Sequence, residues 1–540
     1  MSIHSEKRTR IFWSAASGVI LTGAYDHLGL GFLAWFALAF LLYGLRNASL
    51  KESLYLGLLA GFVHYMTLLY WLVPTMHRYG SLPMALSIGA LMLLAVYLAA
   101  YFAVFSWLVK VVAQRPVTLV GVVPVFWVAL EYLQAFLLSG FPWGLLGYSQ
   151  YKYLYLIQAA DIFGVYGVSF FVALLNAAIF VIFLYARGLK WQNAQPGRSA
   201  AVFCLFALVA IFLLNAGYGR YKIHETDRVI ADAGQMTVAV VQGNIEQTLK
   251  WDEAYVISIV GKYIRLSEAA MDSGPHLVVW PETAMPFYFL QEREQTERVL
   301  DAIRRMETWF LVGSPSFHYD RETEDLWFYN SAYLMDPQAR LADVYDKVHL
   351  VPFGEYVPLS GWLPFVRRMV HSAGDFKAGE RGKVLAMKDG QKDAELAVQI
   401  CYEIIFPHLS AEMIRNGGSL IVNITNDAWF GKTAGPWQHF SMAVFRSVEN
   451  RRVLIRSANT GISAFVDPAG RIVGRTGLFE TATLSRSVPV VTGHRSFYTQ
   501  YTDLLPIACL AASLLLLLLG VAGAGLKRKK YGGKQDERRN

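Results

Sequence analysis

Long apolar runs fill most of the first 220 residues and return near the C-terminus, while the stretch between them changes sign at the shorter periods of strands and amphipathic helices. A helix needs about 20 apolar residues to cross a bilayer core. On that scale the chain offers eight candidate spans, at 11–25, 28–45, 54–75, 82–109, 116–138, 162–185, 200–218 and 504–526. The last is the plainest, with Ser513-Leu-Leu-Leu-Leu-Leu-Leu519 in an uncharged stretch. The first is the shortest. Lys7, Arg8 and Arg10 before it imitate a secretory leader, but the next apolar span begins at once and no small-x-small cleavage site precedes a mature domain. A cleaved leader is therefore not expected.

From Met236 the pattern shifts. Thr237-Val-Ala-Val-Val-Gln-Gly-Asn244 reads as a strand ending in Gly, followed by a helical pattern to about Met271. Further strand runs lie at 276–282, 310–314, 328–335 and 395–400, with a helix over 291–307. Beyond them come a helix at 407–416, a strand at 419–424, a helix at 438–451, and strands at 453–457, 462–466 and 471–473. Strands that follow one another through turns such as Pro468-Ala-Gly470, interleaved with helices, predict sheets covered by helices in a layered α/β or α+β sandwich. Residues 359–379 fit no element. Their Trp362, Phe365 and Phe376 beside Arg367 and Arg368 suggest a lid that touches a membrane. The expected layout is a membrane domain over 1–220 with seven helices, an external domain over 235–490, an eighth membrane helix at 502–526 and a basic tail at 527–540.

Composition agrees with a membrane protein: 540 residues at 54% hydrophobic content are too apolar for an ordinary soluble chain. The net charge of +8 raises nucleic acid as a partner, but the basic residues form no single patch. Lys7, Arg8, Arg10, Arg46, Lys51, Lys110, Arg115, Arg187, Lys190, Arg198 and Lys527-Arg-Lys-Lys530 fall on one side of the spans, against Arg78 and Lys152 on the other. The positive-inside rule then places both termini in the cytoplasm and residues 219–503 on the outer face. His64 and Glu131 interrupt the spans. Ionisable groups there suggest function, but snorkelling or a packing hydrogen bond is the plainer reading.

Of three cysteines, Cys204 and Cys509 lie inside apolar spans, and only Cys401 lies in the external part. No disulfide framework or metal-ligand spacing is present, and no metal or cofactor is expected. Cys401 ends the run Ala397-Val-Gln-Ile-Cys-Tyr-Glu403. Two unusual blocks precede it, Val279-Trp-Pro-Glu282 and Tyr345-Asp-Lys347-Val-His-Leu-Val-Pro-Phe-Gly-Glu355. A thiol attacks as its thiolate, so its pKa must fall, and a neighbouring cation such as Lys347 lowers it. A carboxylate such as Glu282 can take the thiol proton and return it to a leaving group. Lys347 can also face an oxyanion. Each block alone has a plainer reading: a structural thiol, a turn, a solvated ion pair. Their order makes an active site the better reading. His349 and His439 stand alone, and neither they nor Asn330 receives a role.

These blocks resemble the Glu-Lys-Cys triad of the nitrilase (carbon–nitrogen hydrolase) superfamily, at Glu282, Lys347 and Cys401. With membrane spans on both sides, the whole chain resembles the apolipoprotein N-acyltransferase family in particular. The resemblance implies an αββα sandwich on an eight-helix membrane base. It implies acyl transfer from a membrane phospholipid to the N-terminal α-amine of a diacylated apolipoprotein, in ping-pong order through a Cys401 thioester. By the same motifs Glu355 supports the site, Tyr402 and Glu403 follow the nucleophile, and Trp251 and Trp429 serve substrate access or orientation. Physics favours a membrane location for such chemistry, since each buried methylene of a lipid chain contributes about 0.8 kcal/mol. The competing readings are a membrane-tethered amidase or nitrilase acting on soluble substrates, and a transporter or receptor whose external domain only binds.

Overall fold

A computed structural model describes residues 3–25, 29–250, 252–320, 324–357, 376–388, 390 and 392–536. All eight apolar runs lie on helices. Four helices are long and apolar enough to cross a membrane: Met84–Val112, Pro116–Ser139, Ala160–Ala186 and Arg198–Asp232. The run expected at 54–75 is two helices, Leu50–Leu68 and Leu72–Arg78, bent by 53°, and the pair makes a fifth span if taken together. Gly31–Leu45 and Leu504–Gly520 are apolar but shorter, and Ile3–Gly23 begins among the charges of Glu6, Lys7, Arg8 and Arg10. Leu93, Phe206, Leu214 and Leu518 are each about 70% exposed on these helices. Such faces are costly in water and at ease in hydrocarbon.

Close approach of helices is bought with small residues: a Cβ on Gly57 would lie 2.4 Å from the Phe102 carbonyl, and one on Gly61 2.8 Å from the Ala99 Cα. This small-xxx-small pair lets Leu50–Leu68 pack along Met84–Val112, the geometry that membrane helices use where apolar burial supplies no drive. His64 and Glu131 do not snorkel. His64 Nδ1 lies 2.9 Å from Thr22 Oγ1, while Glu131 Oε1 accepts from Trp127 Nε1 at 2.9 Å and from the Leu146 amide at 2.6 Å. Both line a cavity of about 20 Å³ inside the bundle.

The second half of the chain forms two six-stranded sheets among the described residues. The strands are β1 (Gly234–Gln242), β2 (Leu277–Val279), β3 (Trp309–Asp320), β4 (Asp325–Met335), β5 (Leu341–Asp346) and β6 (Leu385–Met387). They continue with β7 (Ala394–Ile400), β8 (Leu420–Thr425), β9 (Val453–Ala458), β10 (Ala464–Val466), β11 (Ile472–Arg475) and β12 (Ala482–Val490). The sheet orders are β12-β1-β2-β3-β4-β5 and β11-β10-β9-β8-β7-β6. Each has a parallel centre, β1-β2-β3 or β7-β8-β9, flanked by antiparallel strands.

Side-chain alternation along β1 separates the layers. Ala239 and Val241 join the outer helices Glu253–Ala270 and Arg293–Met306 through Val256, Ile259, Val299 and Ile303. Val238 and Val240 belong instead to the core shared with the other sheet. Between the sheets Ser457 Oγ of β9 donates to the Val241 and Val279 carbonyls at 3.2 and 3.0 Å. The outer helices of the second sheet are Pro407–Arg415 and Gly435–Asn450. The latter is buried along nearly its whole length, because one side meets the sheet and the other the membrane helices. One apolar core therefore runs unbroken from Leu41 and Leu146 through Phe440 and Phe445 to Val398.

Polar groups fix that junction. Gly164 at φ 64 breaks the helix Ala160–Ala186, and a Cβ there would lie 2.4 Å from the Tyr498 ring. Glu449 Oε1 accepts the Val165 amide beside the break at 2.9 Å and a bond from Arg446 Nη2 at 3.1 Å. Arg451 pairs with Asp161 at 2.9 Å. Glu449→Ala strands a buried guanidinium and an amide together. It is expected to cost roughly 3 kcal/mol or more, read as a lower unfolding midpoint in detergent. Glu449→Gln, which keeps one acceptor oxygen, loses less.

Candidate active site

Glu282, Lys347 and Cys401 each follow the carboxyl end of a strand, after β2, β5 and β7 respectively. Strands buried on both faces read as continuous apolar runs, and residues just past their ends face the crevice where ligands bind in such sheets. Cys401 adopts φ 53, a left-handed backbone that a residue with a Cβ rarely occupies. It opens a short 3-10 turn over Cys401–Ile405.

Glu403 holds that turn. Its Oε2 accepts the Ile400 amide at 2.7 Å, and its Oε1 accepts the Val348 and His349 amides at 2.7 and 3.1 Å. The Tyr345 hydroxyl donates to both oxygens, at 3.0 and 3.1 Å. Burial pushes the Glu403 carboxyl up to about 7, against the pull of the Ile400 amide and the Lys347 charge. One carboxylate thus joins the segment after β5 to the segment after β7, and so Lys347 to Cys401.

Lys347 is 1% exposed and sits between two carboxylates, its Nζ 2.9 Å from Glu355 Oε1 and 3.7 Å from Glu282 Oε1. Burial alone would lower its ammonium, but Glu355 and then Glu282 outweigh burial and hold it well above its usual value. Asn330 Nδ2 donates to the same two oxygens, at 2.8 Å to Glu282 and 2.9 Å to Glu355. Glu282 Oε2 accepts the Asn426 amide at 2.9 Å, and Glu355 Oε2 the Val351 amide at 2.8 Å. The two glutamates are clamped on either side of the lysine.

The Cys401 thiol departs from the expectation that it would be lowered. Lys347 does act in the lowering direction, but burial, followed by the Glu282 charge, pushes the thiol well up. Burial therefore favours the protonated thiol. Glu282 is the carboxylate whose charge bears most strongly on the thiol.

Several partners were invisible in the sequence. His439 Nε2 lies 3.2 Å from the Cys401 carbonyl and its Nδ1 3.0 Å from Asp427 Oδ1. Asp427 also pairs with Arg456 at 2.8 Å, and the Arg456 and His439 charges hold its carboxyl down in spite of burial. Lys250 Nζ donates to the Glu282 carbonyl at 3.1 Å. No local pattern separates Lys250 from a solvated lysine, or His439 from an idle core histidine, since their partners lie 32 and 38 positions away.

The remaining sequence candidates mark the border with the membrane helices. The Tyr402 hydroxyl donates to the Gly140 carbonyl at 3.5 Å, and its ring stacks on Phe141. Trp429 is 36% exposed; its carbonyl accepts from Thr75 Oγ1 at 2.7 Å, and its ring meets Tyr79 edge-on. Trp251 and most of the expected lid lie outside the described residues. Among the described residues no group of three or more His, Cys, Asp or Glu side chains is arranged to hold a metal ion.

Two buried sheets carrying these residues at their strand ends define a carbon–nitrogen hydrolase domain, and the carbon-nitrogen hydrolase family model matches residues 237–493. The model of the apolipoprotein N-acyltransferase N-terminal domain matches residues 17–178. Proteins named apolipoprotein N-acyltransferase are similar along almost the entire chain. That of Geobacter metallireducens is 42% identical, covering 93% of this chain and 94% of its own. That of Brucella melitensis is 31% identical, covering 95% and 96%. The chain belongs to the apolipoprotein N-acyltransferase family. Among solved structures, an amidase from Nesterenkonia sp. is similar at 19% identity and a TM-score of 0.35, over 50% of this chain and 94% of that one.

Glu403→Gln leaves one acceptor oxygen where two serve three amides and a hydroxyl. A buried donor left unpaired costs about 1–3 kcal/mol, and a loss of stability of roughly that size is expected, measured by chemical denaturation in detergent.

Proposed function

We propose that this chain transfers an acyl chain from a membrane phospholipid to the N-terminal α-amine of the S-diacylglyceryl cysteine of apolipoproteins, through a thioester on Cys401. One observation carries the reading: a buried thiol, flanked by a carboxylate and a clamped ammonium, lies where the sandwich meets the apolar helices. A soluble amide substrate gives no reason for that border.

Glu282 takes the proton from Cys401 as Sγ attacks the ester carbonyl carbon of the phospholipid. Lys347 faces the oxyanion, its own charge secured by Glu355. The carbon–oxygen bond breaks, Glu282 returns the proton to the departing alkoxide, and a lysophospholipid leaves. The acceptor amine then attacks the thioester carbon and gives its proton to Glu282. The carbon–sulfur bond breaks, and the proton passes to the thiolate. Atoms and charges balance in both halves without an oxidant, reductant or metal. Glu355, Tyr402, Glu403, Trp251 and Trp429 support this site or line the way to it.

The membrane base consists of eight spans with both termini in the cytoplasm. The sandwich lies on the periplasmic face of the inner membrane, as the distribution of lysine and arginine favours.

Cys401→Ala is expected to form no acyl-enzyme with labelled phospholipid, read by intact mass. Glu282→Gln is expected to slow the same step by at least roughly a hundredfold. An acyl adduct persisting in Cys401→Ala would refute the nucleophile. A cysteine-labelling scan is expected to find residues 236–490 open to reagents that do not cross the inner membrane.

A further inference from the structure

Lys250 is the charge in this site that the three-residue mechanism leaves unused. It is 2% exposed, and among the described residues its Nζ donates to the Glu282 main-chain carbonyl, at 3.1 Å. An ammonium has three donors, and burying one against a single neutral acceptor is costly unless opposite charge lies close by. The groups whose charge acts on it are Glu282, after β2, and Cys401, after β7.

The charges around it decide what it does. Behind Glu282 stands Lys347, shared between Glu282 and Glu355. Behind Cys401 stands Asp427, already paired with Arg456. Glu282 and Glu355 together bring two negative charges and Lys347 one positive. When Glu282 takes the thiol proton its negative charge passes to sulfur, so without Lys250 the group of Glu282, Glu355, Lys347 and Cys401 carries one net negative charge before and after the transfer. With Lys250 charged the group is neutral throughout, and the charge that moves to sulfur is met by a cation.

We propose that Lys250 is a second cation of the active site, which fixes the Glu282 main chain and supplies the positive charge that lets the Cys401 sulfur become negative during attack. It is a positioning and electrostatic residue, distinct from Lys347, and its role rests on the Cys401 thioester reading above. Burial lowers its ammonium to about 8, with Glu282 and then Cys401 holding it up. Its charge is thus present at neutral pH and lost as pH rises through about 8. Lys347, raised rather than lowered, keeps its charge across the same window.

The test is single-turnover acylation of the full-length protein in vesicles containing fluorescent phosphatidylglycerol, with no acceptor amine, followed by intact mass between about pH 6 and pH 9.5. This headgroup has no amine to titrate. The wild-type rate is expected to fall about tenfold from pH 7 to pH 9, as a group near 8 loses its proton. K250R, charged throughout, is expected to remove that fall. K250M is expected to be at least about tenfold slower at pH 7 and flat with pH. A wild-type rate that holds or rises from pH 7 to pH 9 overturns the proposal. So does K250M acylating at the wild-type rate. Should K250M fail to fold, the wild-type profile and K250R still decide. Absence of any wild-type acyl-enzyme overturns the thioester reading itself and this role with it, whereas normal acylation indifferent to position 250 overturns this role alone.

Discussion

The candidate site depends on one buried carboxylate whose oxygens are taken up by main-chain amides and a hydroxyl. Glu403 gathers amides from the ends of two strands in different sheets and closes the turn in which Cys401 is forced to a left-handed backbone. Backbone strain of that kind survives only when its surroundings over-determine it. Here four donors on one side chain do so. The His439 ring against the Cys401 carbonyl braces the turn from the opposite side. The position of the thiol is thereby fixed by geometry.

A second constraint is the fusion of sandwich and base. In many two-domain proteins a linker leaves each part its own core. Here the helix Gly435–Asn450 serves both. Gln438 Oε1 accepts from Trp71 and Trp143 at 3.0 and 2.8 Å, and its amide donates to the Leu68 carbonyl at 3.2 Å. Those contacts fall beside the 53° bend between Leu50–Leu68 and Leu72–Arg78. The bend brings Thr75 and Tyr79 to Trp429, so the rim of the site is built from base and sandwich together.

The sequence made the strand-end residues legible for a physical reason. β2 and β7 are buried on both faces, so their apolar runs stand out, and a charged or nucleophilic residue at the end of each is conspicuous. Helix positions followed from their amphipathic period, as at Arg293–Met306 and Pro407–Arg415. What could not be read depends on distance along the chain. Asn330 bridges Glu282 and Glu355, 48 and 25 positions away, with no local mark. The bend after Leu68 hides inside a run that is apolar on either side of it, because hydropathy records burial and not direction. The apolar span expected at 200–218 lies inside a longer helix, whose hydrogen bonding continues through polar residues to Asp232.

That extra length has its own meaning. The helix Arg198–Asp232 runs 35 residues, roughly 50 Å, and only Ala233 separates it from the first strand of the sandwich. It works as a stanchion: an unbroken helix joins the apolar base to the first strand of the sandwich with a single residue between them. Adding or removing one residue in its polar half would set the sandwich about 1.5 Å out of step with the contacts that bind it to the base.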